Sequence, residues 1–217
     1  MKKLFLALVS TALFSCSSDD STPTPTQVTP TPSNSITFFN SKIDNTSFVF
    51  NEDTSLNPTH YHDLYVGYTN GNGFDKVYTY GCSMVENNSN FIPALELSFD
   101  NMYTTDDYAE ETANFYSNFQ TNTPTNFITS AQESSLIKGI SVNYTPTTGG
   151  SSFSTKYGSQ TGSTITYTSI TTGTNSNTGD KIVTITGTLN CKLYDSNDNT
   201  NVKTLTNGSF KLIFNEF

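Results

Sequence analysis

From Ile36 onward, apolar and polar residues alternate in short runs that are broken by clusters of Asn, Gly, Asp and Ser. That period and punctuation predict strands half-buried against one core. Residues 36–43 and 47–50 flank Asp44-Asn45-Thr46 and predict a first hairpin. Residues 64–69 and 76–85 flank Asn70-Gly71-Asn72-Gly73 and predict a second, because Asn and Gly tolerate positive φ. Over 91–99, Leu95, Leu97 and Phe99 alternate with Glu96 and Ser98, one face buried and one wet. Further strands are predicted over 137–144, 152–157, 163–171, 181–194, 202–206 and 209–214. In the run 181–194, Val183, Ile185, Leu189, Cys191 and Leu193 share a face. Gly187 among them marks a bulge or a close backbone approach. Asn207-Gly208 reads as a tight turn between the last two strands.

One stretch departs from the two-residue period. Thr104-Thr105-Asp106-Asp107 has the spacing of a capping box, and Tyr108, Thr112, Phe115 and Phe119 follow at helical intervals. Acidic residues crowd the first turn, where the helix dipole favours them. These features predict one short helix near 105–119 that closes an end of the sheet structure, followed by irregular chain over 120–135. The fold expected is all-β, a single antiparallel β-sandwich with one short helix. A closed lipocalin-like barrel is the alternative, because both architectures bury one face of every strand.

The first residues follow a different pattern. Lys2 and Lys3 precede the apolar run Leu4-Phe5-Leu6-Ala7-Leu8-Val9, and Leu13-Phe14-Ser15-Cys16 ends in a cysteine before the polar Ser17-Ser18-Asp19-Asp20. A basic start, a short apolar segment and a small-residue processing site make a secretory signal. The apolar run is far short of the roughly 20 residues a spanning helix needs. The tetrapeptide resembles a bacterial lipobox, which makes Cys16 the first mature residue and its lipidation site. Residues 17–34 place Pro at alternate positions among Thr, a tether with polyproline character that spans roughly 40–50 Å at about 3.1 Å per residue. The expected organisation is a signal peptide over 1–15, lipidated cysteine and tether over 16–34, and one domain over 35–217.

Composition narrows the partners. A net charge of −9 excludes nucleic acid, whose phosphates require clustered Lys and Arg. It equally excludes electrostatic docking on anionic lipid, so contact with outer-membrane lipid rests on acyl chains at Cys16. Hydrophobic residues are only 34%, and 16 Phe and 12 Tyr make up the shortage with large buried area per residue.

Candidate chemistry is sparse. His60 and His62 share a strand face and are weak metal candidates, lacking a third ligand. Asp195-Ser196-Asn197-Asp198-Asn199 begins like a calcium loop, but Thr200 and Thr206 stand where Gly and Glu are needed, which leaves a plain turn. Asp106, Asp107, Glu110 and Glu111 suit capping better than paired acid catalysis. The chain has no nucleophile elbow, P-loop or dinucleotide glycine pattern, so no catalytic residue and no cofactor is implied. Tyr61, Tyr65, Tyr78, Tyr80, Tyr103 and Tyr157 are candidate ligand-contact aromatics, since tyrosine on a Thr/Asn-rich face can stack on sugar rings. They can equally fill the core. Cys82 and Cys191 fall on core-facing positions, where they are either buried thiols or a disulfide.

The C-terminal region carries a family resemblance. Ile185-Thr186-Gly187-Thr188-Leu189, Leu193-Tyr194-Asp195 and Leu205-Thr206-Asn207-Gly208-Ser209-Phe210 resemble the ending of a group of uncharacterised Bacteroidetes surface lipoproteins. Phe38-Phe39-Asn40-Ser41-Lys42-Ile43 and Phe48-Val49-Phe50 are similar to that group's first hairpin. The acidic pair after Cys16 resembles the signal that sends such proteins to the outer face of the outer membrane. The resemblance implies a lipid-anchored, surface-exposed β-sandwich-like domain and supplies no catalytic residue. The function expected is a non-catalytic binding or interaction module. The alternatives are a glycan-binding, less readily glycan-cleaving, accessory protein and a carrier of a small apolar ligand; another surface protein is a further candidate partner.

Overall fold

The computed structural model describes residues 36–54, 58–70 and 76–216. Cys16 and the tether lie outside the described residues, as does the connection predicted around Gly71-Asn72-Gly73. Asp44 and Asn45 both take positive φ, 49° and 67°, as a two-residue hairpin turn requires. They fold β1 (Thr37–Ile43) onto β2 (Thr46–Glu52), with Ile43 opposite Thr46. Then follow β3 (His60–Asn70), β4 (Lys76–Glu86) and β5 (Ala94–Thr105). Two helices come next, α1 (Tyr108–Asn122) and the one-turn α2 (Ser130–Ser134). The chain continues through β6 (Gly139–Thr145), β7 (Phe153–Ser154) and a 3-10 turn over Thr155–Tyr157. It ends in β8 (Thr164–Thr174), β9 (Lys181–Asp195) and β10 (Val202–Asn215).

The strands form one antiparallel sheet in the order β2-β1-β10-β9-β7-β6-β5-β4-β3, with β8 also on β9. The two facing sheets of a sandwich give way to a single sheet curled into a nearly closed barrel. Alternation could not separate the two, because the difference lies in which strands pair. Here β1 joins β10, and β9 reaches both β10 and, through β7, β6. Parity rules out closing the barrel with an antiparallel ladder. Every step along the path is antiparallel, so the terminal strands β2 and β3 run in the same direction and cannot complete an antiparallel ladder.

Side chains bridge that seam. The ring of His60 meets Phe50 edge-on at 5.3 Å, and His62 Nδ1 hydrogen-bonds Glu52 Oε2, which also accepts from Thr37 Oγ1 at 2.7 Å. Burial opposes the charge on Glu52, but the bonds from His62 and Thr37 outweigh it and hold the carboxyl below its ordinary 4.5. A carboxyl depressed in the folded state stabilises above its unfolded pKa, and the effect disappears as pH falls through the folded value. Melting curves of the chain and Glu52→Gln should therefore differ near neutrality and converge once the pH has fallen below the folded pKa of the carboxyl. A gap that persists unchanged into acid would contradict a role for the ionised seam carboxylate.

The barrel interior is a packed aromatic core. Phe99 meets Phe214 at 4.9 Å and Phe119 at 5.2 Å, while Phe39 meets Phe210 at 5.9 Å, in tilted or edge-on geometries. Helix α1 supplies Phe115 and Phe119, which press on Tyr80 at 5.3 Å each and plug one end. Its N-cap is Asp107, whose side chain accepts from Ala109 N, so the helix starts and ends about three residues later than predicted. Its buried face also differs: Glu111, Phe115, Asn118 and Phe119 are inside, and Tyr108 is exposed. The face turns because Tyr80 donates to the buried Glu111 carboxylate at 2.5 Å.

Two glycines act through space. A Cβ on Gly187 would stand 2.5 Å from Thr166 O and 2.8 Å from Phe210 Cζ, a close approach rather than a bulge in β9 itself. Asn207-Gly208 is not a turn. β10 runs straight through it, with a register shift between Leu205 and Gly208 and Asn207 at φ 51°. A Cβ at 208 would stand 2.6 Å from Leu189 O, which explains why a turn-like dipeptide sits inside a strand. Cys82 and Cys191 are both buried free thiols, so the bridge considered between them is not formed, and burial pushes both thiols up.

Candidate functional site

Where β9 passes from one neighbour to the next, its edge lacks a strand partner for a short stretch. β8 pairs with β9 as far as Asn190, and β7 takes over at Tyr194. The side-chain amide of Gln160 fills the break as a strand would. Gln160 Nε2 donates to Lys192 O at 2.8 Å and to Thr155 O at 3.0 Å, and Oε1 accepts from Lys192 N at 3.1 Å. Thr155 Oγ1 does the same for β6, accepting from Val142 N at 3.0 Å. The loop 156–161 is thereby pinned to the barrel wall, and Tyr194 clamps it further by donating to Ser159 O at 2.6 Å.

That loop is one wall of an open cleft of about 990 Å³. The second wall is the start of α2, where Thr129 and Gln132 form a reciprocal capping box. The third is the β9–β10 turn, residues 195–199. At the floor, Lys156 Nζ pairs with Asp100 Oδ1 at 3.1 Å and Glu133 Oε1 at 2.8 Å. Burial drives the Asp100 carboxyl up, with Lys156 opposing, and Ser141 donates to its other oxygen at 2.7 Å. Among the described residues Lys156 is the one cation lining the cleft, and two carboxylates already neutralise it. Tyr157 stands at the mouth with 42% of its surface exposed, and Phe127 lines the same space.

The 195–199 turn is self-contained. Asp195 is held low first by the backbone N–H of Asn197, and its second oxygen accepts from Asn201 Nδ2 at 3.0 Å. Asp198 is held low by Thr200, whose Oγ1 donates at 2.6 Å. These are Asx turns, and the calcium-like start of this stretch serves them. Among the described residues no group of three His, Cys, Asp or Glu side chains is placed to hold a metal ion. His60 and His62 are committed to the seam.

The six candidate tyrosines do not form one strip. Tyr78 and Tyr80 are core residues, contrary to a contact role. Tyr103 donates to Glu110 Oε1 at 2.8 Å and braces the start of α1. Glu110 is further bound by Thr105, and Glu111 points into the core, so the acidic cluster presents no carboxylate pair to a common space. Tyr61 and Tyr65 lie on the outer face of β3, and only Tyr157 reaches the cleft. Lys156, Gln160 and Gln132 were not singled out from the sequence, and Asp198 was read only within the calcium-like start of the 195–199 stretch. One signal was present, the Thr129-Ser130-Ala131-Gln132 capping box inside the stretch read as irregular. Comparison with protein-family models, with curated proteins and with solved structures finds no match.

Proposed function

We propose that this chain is a lipid-anchored surface module that binds a neutral, hydroxyl-rich ligand, a glycan segment, in the cleft between α2, the 156–161 loop and the β9–β10 turn, without catalysis. The observation that carries this reading is the cleft itself: an exposed tyrosine beside a rim of Asp, Asn, Gln, Ser and Thr. Aromatic area plus dense hydrogen-bonding groups match a sugar's apolar ring faces and hydroxyl edges. Ionised Asp195 and Asp198, with Lys156 already paired, disfavour an anionic ligand. The interior offers little to an apolar ligand, because aromatic rings fill it from Phe39 to Phe214. Anchoring rests on Cys16 behind its lipobox; among the described residues no helix is long and apolar enough to cross a membrane.

Affinity gel electrophoresis of the chain and Tyr157→Ala on soluble mannan, xylan and mixed-linkage β-glucan tests the reading. At least one gel should retard the chain, and Tyr157→Ala should lose most of that retardation, about tenfold or more in apparent affinity, which is about 1.4 kcal/mol. Equal migration of both proteins on every gel would sink the proposal. Cys16→Ser should leave the membrane fraction; a product that stays there would place the anchor elsewhere.

A further inference from the structure

A second aromatic feature stands apart from the cleft, on the outer wall of the barrel. Along β3 the outward positions are Tyr61, Asp63 and Tyr65, and opposite Tyr65 in β4 stands Gly81. A Cβ at position 81 would lie 2.0 Å from Tyr65 Cε1 and 2.2 Å from Cζ. The tyrosine ring therefore lies down across β4, in space that only glycine leaves open. Its hydroxyl reaches the next strand, within 2.7 Å of Ser98 Oγ and donating to Glu96 Oε1 at 3.1 Å. The ring is fixed at both ends, yet 40% of the residue's surface remains open to solvent. Desolvation and then the charge of Glu96 push the phenol up, so the hydroxyl stays a neutral donor.

The surroundings of this ring are polar and acidic. Glu96 Oε1 is fully engaged, accepting also from Ser98 at 2.7 Å and Asn143 at 2.6 Å. Among the described residues Glu96 Oε2 accepts a long 3.3 Å bond from Ser83, which leaves it room for a further donor. Asp63 is exposed on the same face. Farther along the row, Tyr61 meets the exposed Phe91 edge-on at 5.8 Å.

We infer that Tyr65 is a stacking platform for a pyranose ring of a neutral glycan, with Glu96 accepting from one of its hydroxyls, at a site separate from the cleft. A rigid ring costs no side-chain ordering on binding, and its open face matches the C–H face of a sugar. Two carboxylates beside it repel phosphate and sulfate esters. An apolar protein hot spot would need a desolvated surround, which Ser83, Ser98, Glu96 and Asn143 do not provide. The platform stands on its own geometry and does not depend on the cleft.

Isothermal titration of the full chain with mannohexaose, xylohexaose and cellohexaose tests it in the Tyr157→Ala background, where the cleft lacks its ring. At least one hexasaccharide should still bind. Adding Tyr65→Ala should weaken it at least tenfold, and adding Tyr65→Phe, which keeps the ring, should weaken it less than alanine does. The inference is overturned if no hexasaccharide binds Tyr157→Ala, or if Tyr65→Ala changes nothing in that background. Binding that is identical in the unsubstituted chain and Tyr157→Ala would remove the cleft proposal and leave this one standing.

Discussion

Alanine at Phe119 is expected to lower stability by about 3–5 kcal/mol, the range for deleting a buried aromatic side chain. The ring is fully buried and meets Tyr80, Phe99, Phe115 and Phe214 at centroid distances of 5.3, 5.2, 5.3 and 5.7 Å. Its removal leaves a cavity where the helix plug meets the barrel wall, and the sheet behind Phe99 and Phe214 is too constrained to collapse onto it. For a domain of this size the melting temperature should fall by roughly 6–20 °C. Tyr108→Ala, at the helix position that is exposed instead of buried, should change stability by no more than about 0.5 kcal/mol. Chemical denaturation of both variants checks the pair, and equal losses would mean that α1 presents a different face.

The second large effect is expected at Gly187. Even a methyl group there would press on a backbone carbonyl, Thr166 O at 2.5 Å, which has no rotamer to move to. Gly187→Ala should therefore cost about 2–3 kcal/mol as β8 and β9 are forced apart, and valine should cost more. Gly173 provides the control on the same strand pair. The nearest atom to a Cβ there is Ile182 Cγ1 at 3.6 Å, an ordinary contact, so Gly173→Ala should be neutral or slightly stabilising. Loss of stability at 173 but not at 187 would contradict the β8–β9 packing.

These glycines show how far the sequence could be read. Gly187 broke an otherwise perfect core-facing row, which marked a bulge or a close approach, and the contact with Thr166 O decides for the approach. Asn207-Gly208 carried the wrong message, because the same dipeptide suits a tight turn and a bulge, and only the pairing of Leu205 with Cys191 and Gly208 with Leu189 decides between them. The strand faces were legible from Leu95, Leu97 and Phe99, since a period of two needs no knowledge of partners. Barrel against sandwich was not legible, because it depends on β1 meeting β10 from the far end of the chain. The face of α1 was misplaced for a similar reason. Hydrophobicity ranked Tyr108 above Glu111, whereas the hydroxyl of Tyr80, waiting in the core, drew the carboxylate in.

The cleft lay beyond sequence reading in a different way. Its three walls come from residues near 130, 158 and 197, each of which looks like an ordinary polar connection in isolation. What brings them together is the break in β9's edge and the Gln160 amide that bridges it, a contact that no local pattern encodes.

The most direct measurement of the account is backbone hydrogen exchange of the full chain, alone and with saturating soluble mannan, xylan or mixed-linkage β-glucan. The expected result is slowed exchange in three separated segments, 129–132, 156–161 and 195–199, with the slow core of β10 unchanged. Protection that arises only in β10, or in no segment with any of the three polysaccharides, would contradict a ligand seat on the outside of a packed barrel.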